Sequence, residues 1–444
     1  MALAPRLLSS LALLLTSTPL LAKSPAPDPA RLRADVEALV SFGTRNSLSS
    51  ATDPKRGIGA ARTWAAGRFA SIGKDCGSCL TVERIADRFS GPRAPDGVII
   101  EDVLAIQPGS DGFANVVIVA GHIDSRVSDV MDATSDSPGA NDDGSGSALV
   151  IETARLLSQE KHRATIVYAL LSGEEQGLWG GQLLARTAKA RSWHVSAMLN
   201  NDIVGNTVGT DGRVVADRVR VFSEGIRSSE DAAATAARRM AGGEEDGPSR
   251  ALARFVKNVG QSDKVAGGLA VFAVHRPDRF SRGGDHLPSL ELGYPAVRFT
   301  AGVENYRWQH QNLRTENGIV YGDTTDRMDF PYLAKVTALN VATIRALGAA
   351  PPAPASAWLA GALSSDTTVS WSPVPGAAGY HLYTRPGDSF EWKSGPIVGP
   401  DAKSHVFKGL IVDDNFVGVA TLGGGGKAGA PESPITFAGL PPRQ

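Results

Sequence analysis

Thr165-Ile166-Val167-Tyr168-Ala169-Leu170-Leu171 runs straight into Ser172-Gly173-Glu174-Glu175. The unbroken run of strand-forming residues predicts a buried strand. Burying a carboxylate is costly unless a cation or hydrogen bonds compensate it, so two adjacent glutamates at the end of such a strand point to a metal site. One of the pair can bind metal while its neighbour handles protons.

Outward from this stretch, strands and helices alternate. Asp28 to Val40 and Gly59 to Ile72 carry the capping and apolar spacing of helices. Asn115 to Ala120 is a second strand buried on both faces. Ser147 to Gln159 repeats apolar residues at helical intervals, Trp179 to Ala190 does the same, and Val195 to Leu199 returns to strand. This order predicts an α/β fold with a mostly parallel mixed sheet flanked by helices.

Polar clusters sit where these strands end. Gly121-His122-Ile123-Asp124 places an imidazole and a carboxylate one residue apart, suited to a metal ligand and the partner that orients it. Asn141-Asp142-Asp143-Gly144-Ser145-Gly146 leads into a helix, where an aspartate can be a cap or a ligand. Asn200-Asn201-Asp202 closes the third strand. Open α/β sheets bind ligands outside the carboxyl ends of their strands, so these clusters are expected to converge with Glu174 and Glu175.

In order and spacing, the His-x-Asp, Asn-Asp-Asp-Gly-Ser-Gly, Glu-Glu, Asp and late His clusters resemble the M28 family of zinc peptidases, over roughly residues 28 to 348. The resemblance implies a zinc-exopeptidase-like fold and two zinc ions per chain, with other divalent metals such as cobalt or manganese as alternatives at such a site. Asp142 would bridge them, with His122 and Asp202 on one side and Glu175 and His310 on the other. Glu174 would be the general base for a water activated by the metal pair, Asp124 would orient His122, and a cis peptide would join Asp142 to Asp143. His310 has Gln309 before it, where many members have tyrosine, leaving Tyr306 as a substrate-binding candidate. Asp285-His286 competes for the last ligand position but matches a non-ligand stretch of the family.

The implied activity is hydrolysis of N-terminal residues from peptides or proteins, with bulky apolar residues as a first expectation for specificity. Carboxypeptidase, dipeptidase or glutaminyl cyclase activity on the same scaffold is the alternative, followed by a non-catalytic binding protein. Neither Ser145 nor Ser172 has the Gly-x-Ser-x-Gly setting of a serine nucleophile.

The remainder of the chain sets the context. Its 444 residues exceed what one core of about 250 to 300 residues usually holds. A net charge of -1 offers no global attraction for nucleic acid or an anionic membrane. Residues 1–22, with Arg6, an apolar stretch and Ala22, have the look of a signal peptide, so the expected location is secreted or periplasmic, without a stable membrane span. Cys76 and Cys79 are then expected to form a local disulfide. The peptidase domain is expected over 23–347 and a Pro/Ala-rich linker over 348–357. Short strands over 358–444 predict a small all-β sandwich, whose Trp371, Tyr380 and Tyr383 spacing and Asn415-to-Ala420 strand resemble a fibronectin type III module.

Overall fold

Two neighbouring parallel strands, β3 (Val116–His122) and β4 (Thr165–Leu171), are buried at every residue. Their apolar runs can only be satisfied between two helical layers. The computed structural model describes residues 26–262 and 267–441, so the expected signal peptide lies outside the described residues. Further strands of the same sheet are β1 (Thr81–Gly91), β2 (Ala94–Gln107), β5 (Val195–Asn201), β6 (Arg218–Phe222), β7 (Ala270–Val274) and β8 (Ala296–Ala301). They lie in the order β1-β2-β4-β3-β5-β8-β6-β7.

The four central strands, β4, β3, β5 and β8, are mutually parallel; β1, β2 and the β6–β8 pair add antiparallel contacts. The mixed sheet is therefore parallel where it is most buried. One face packs on α1 (Pro29–Val40), α2 (Ile58–Asp75) and α3 (Gly144–Leu157). Beyond β4 come a single turn, α4 (Glu174–Gly177), and α5 (Trp179–Ala190), which helps to cover the opposite face. α6 (Ala232–Met240) is largely exposed, whereas α7 (Pro248–Ser262) packs with the first helices. α8 (Leu287–Glu291) joins α5, and α9 (Phe330–Ala349) completes the first layer.

The chain passes from β3 through α3 to β4 on one side, then through α5 to β5 on the other side of β3. That reversal opens a crevice at the carboxyl ends of the three strands, the place where such sheets bind ligands. A two-stranded hairpin, β9 (Arg314–Glu316) and β10 (Ile319–Tyr321), follows β8. Cys76 and Cys79 are disulfide-bonded.

Seven strands form the C-terminal β-sandwich: β11 (Ala357–Ala360), β12 (Thr367–Trp371), β13 (Gly379–Pro386), β14 (Lys393–Val398), β15 (Ser404–Phe407), β16 (Asn415–Leu422) and β17 (Thr436–Gly439). Trp371 and Tyr380 pack in its core with ring centroids 5.1 Å apart. It is not a loose appendage. Buried Arg385 reaches Asp246 at 2.6 Å, and Asp246 also holds Arg254 at 2.6 Å, so an ion network crosses the junction. Among the described residues no helix is long and apolar enough to cross a membrane.

Candidate metal centre

Each polar cluster arrives at the crevice from a strand end or a helix start. His122 is the last residue of β3, and Asp202 directly follows β5. Ser172 and Gly173 lead from β4 to Glu174 and Glu175; Gly173 has φ +74°, which glycine adopts without a Cβ clash. Asp142 and Asp143, joined by a cis peptide, precede α3. They divide the work. Asp143 caps α3 through Gly146 N at 2.9 Å and accepts His122 N at 3.0 Å, while Asp142 turns to the centre.

The side chains form two connected halves. His122 Nε2 lies 3.2 Å from Asp142 Oδ1 and 3.8 Å from Asp202 Oδ1. His310 Nε2 lies 2.9 Å from Asp142 Oδ2 and 3.3 Å from Glu175 Oε1. Asp142 thus offers one oxygen to each histidine. Candidate donor atoms of His122, Glu174 and Asp202 fall within 4.8 Å of one another, as do those of Asp142, Glu175 and His310.

A divalent cation suits these atoms. His122 Nε2, Asp142 Oδ2, Glu175 Oε1 and Asp202 Oδ1 are buried and lie against one another and His310 without a well-aligned hydrogen bond among the described residues. Each such group costs about 1 to 3 kcal/mol when left unsatisfied, and four in one cluster fit an imidazole–carboxylate metal site. Burial lowers the proton affinity of His122, but Asp124, Asp142 and Asp202 outweigh it and push its pKa well above the ordinary range. Carboxylates that attract a proton this strongly also attract a metal. Burial raises the Glu174 carboxyl well above its usual range, with Asp202, Glu175 and Asp285 adding to the effect against His122.

The supporting groups differ between the halves. His122 Nδ1 faces the Asp124 carbonyl at 3.1 Å and Oδ1 at 3.4 Å; Asp124 Oδ2 in turn accepts from Ser47 Oγ at 3.2 Å and Glu175 N at 3.3 Å. Acceptors there leave Nε2 free to ligate. His310 Nδ1 instead meets Arg126 Nη2 at 2.5 Å, and Arg126 Nε donates to Glu175 Oε2 at 2.8 Å.

Sequence reasoning missed Arg126 and two further supports. Arg298 holds Asp202 Oδ2 at 2.8 Å from within β8. Its signal was a lone charge inside the apolar strand Ala296–Ala301. Asp323 accepts the backbone N–H groups of Asn141 and Asp142 at 3.0 and 2.7 Å, steadying the turn that presents Asp142. Burial, aided by the nearby Asp142 charge, raises its carboxyl to about 7 against those hydrogen bonds.

Other candidates stay outside the centre. Tyr306 is 61% exposed and does not line the cleft around the ligands. Gln309 is buried against Glu304, to which it donates at 3.2 Å. Asp285 accepts Gly181 N at 3.0 Å and His286 contacts the Pro277 carbonyl at 2.7 Å, so that pair ties α5 and α8 to the neighbouring loop.

Residues 102–330 match the profile of peptidase family M28. A probable zinc metalloprotease of Leptosphaeria maculans is 41% identical over 392 residues, spanning 85% of this chain and 90% of that protein. Among solved structures, a leucine aminopeptidase precursor from Bacteroides thetaiotaomicron aligns with TM-score 0.52 and 17% identity over 73% of this chain and 98% of its own. Fimbriiglobus ruber glutaminyl cyclase aligns with TM-score 0.51 and 19% identity over 73% and 96%. These likenesses share the fold. With its matching profile and its close curated relative, the chain belongs to peptidase family M28.

Proposed function

We propose that the protein is an exported two-zinc aminopeptidase that removes N-terminal residues from peptides. The carrying observation is Asp142, whose two oxygens lie 3.2 and 2.9 Å from the ligating nitrogens of His122 and His310. His122, Asp142 and Asp202 would hold one ion, and Asp142, Glu175 and His310 the other. Bound there, zinc supplies Lewis acidity that activates water and polarises a peptide carbonyl.

The chain's own residues do the rest. Glu174 accepts a proton from the attacking water and returns it to the leaving amine, a role for which a half-buried carboxylate beside the ligand cluster is placed. Asp124 fixes the His122 ring, and Arg298 fixes Asp202. Glu174 and Asp202 also offer negative charge to the free amine of the substrate.

The test measures bound metal and hydrolysis of leucine amide for wild type and Glu174→Gln. About two metals in each, with turnover reduced roughly 100-fold or more in the variant, is expected for loss of a general base. Comparable turnover in the variant removes Glu174 from this role. An acetyl-blocked peptide should be refused, and release of a cyclised N-terminal glutamine without peptide cleavage would favour the cyclase alternative.

A further inference from the structure

The cleft over the centre, about 470 Å³, is lined by four arginines besides the centre's own Asp142, Glu174, Glu175, Asp202 and His310. Arg93, Arg126, Arg279 and Arg282 all line it, whereas aliphatic surface comes mainly from Pro92 and Leu178. Such a wall is a poor seat for a bulky apolar side chain. Two of the arginines are accounted for by the protein itself. Arg126 serves Glu175, and Arg279 is divided between Asp278 at 3.1 Å and Glu304 at 3.2 Å.

Arg93 has no such partner, and Arg282 has only a share of one. Arg93 stands at the turn between β1 and β2, donates to the Glu175 carbonyl at 2.6 Å, and has no ion pair among the described residues. Arg282 shares Glu304 with Arg220 and Arg279, so three guanidinium groups crowd one carboxylate. Its Nη1 donates to Glu304 Oε2 at 3.0 Å and to Gln309 Oε1 at 3.3 Å, while its Nε and Nη2 make no hydrogen bond among the described residues. Guanidinium groups in a recess that lack a carboxylate, or share one among three, attract anions over distance and bind carboxylates through paired N–H donors. Arginine is the side chain best shaped for that task.

We propose that Arg93 and Arg282 bind a substrate carboxylate next to the scissile amide, so that the preferred substrates are acidic peptides. This rests on the peptidase reading and adds a substrate class to it. The carboxylate can come from an Asp or Glu side chain flanking the bond or from the free C-terminus of a dipeptide. Both present the same planar anion.

Matched peptide pairs separate these sources: Glu-Leu amide against Gln-Leu amide, Leu-Glu amide against Leu-Gln amide, and Leu-Leu against Leu-Leu amide. In at least one pair the charged member should have a kcat/KM roughly 10- to 100-fold higher, the range expected for a charge-assisted hydrogen bond. Arg93→Gln and Arg282→Gln should each draw that ratio towards one, Arg282→Lys should restore part of it, and added salt should reduce it. Ratios near one in all three pairs, with neutral peptides still cleaved, overturn the carboxylate site and leave the peptidase reading standing.

Calorimetry on the zinc-loaded protein gives a readout independent of turnover, using glutamate against glutamine and leucine against leucinamide. Tighter binding of a charged member that weakens in the arginine variants supports the site even if no peptide is hydrolysed, and the peptidase reading then falls alone. Equal binding within both pairs overturns it.

Discussion

The two histidines of the centre are held in opposite ways. His122 ends a buried strand, is 1% exposed, and has acceptors behind Nδ1. His310 lies in the loop after β8 with φ +53°, has a side chain 24% exposed, and has a guanidinium behind Nδ1. An imidazole that ligates through Nε2 carries its proton on Nδ1, which an acceptor welcomes and an arginine opposes. Under the proposed two-zinc reading, one half of the site is ready for a metal and the other is set against a competing cation.

The largest effect should come from removing each histidine in turn. His122→Ala is expected to leave little metal bound after dialysis and to lose more than the roughly 100-fold that changing a ligand's supporting partner costs. His310→Ala should also impair hydrolysis but retain one tightly held metal. Equal metal loss from both variants would erase the asymmetry.

Next is the support beneath His310. Gln309, its neighbour, is anchored to Glu304, which binds Arg220 at 2.6 Å and Arg282 at 3.0 Å. Burial favours the neutral acid, but Arg279, Arg220, Arg298 and Arg282 outweigh burial and depress Glu304 from 4.5 to about 2. Because the folded pKa is the lower one, this stabilisation is complete above about 4.5 and is lost as pH falls towards 2. Glu304→Gln should therefore cost on the order of 3 kcal/mol near neutrality. In denaturant melts its deficit against wild type should shrink as the pH drops through that window. A constant deficit would assign the loss to packing instead.

The contrast between the halves also explains what was legible in the sequence. His122, Glu174, Glu175 and Asp202 follow apolar strands, and a parallel sheet brings such ends together, so a one-dimensional pattern carried three-dimensional information. His310 has no strand pointing to it; only its place in a family order singled it out. The Glu304 cage was hidden because its arginines lie up to 84 residues away in sequence and none forms a local motif. Of the long β1–β2 hairpin, only the opening stretch Leu80-Thr81-Val82-Glu83 reads as strand in the sequence. Much of β1 is exposed and polar, so it lacks the apolar run that announced β3.

Within the His122 half, Asp124→Asn keeps the shape but alters the charge and hydrogen bonding behind Nδ1. Metal affinity is expected to fall about 10- to 100-fold, as for other partners that orient a ligand histidine. Competition with a chelator would measure the loss. An unchanged affinity would mean that the Asp124 carbonyl alone holds the ring.

The smallest effect should fall on Arg126, and it tests the comparison most directly. Zinc titrated into chelated wild type should be taken up in two steps of unequal affinity, since Arg126 sits against two ligands of the same half. Arg126→Gln removes the positive charge and should tighten the weaker step by about tenfold, a modest change because solvent and Glu175 already screen that charge. The stronger step should not move. If the variant binds both metals as wild type does, the guanidinium must swing away on loading without appreciable cost, and the asymmetry would have to come from the loop that carries His310.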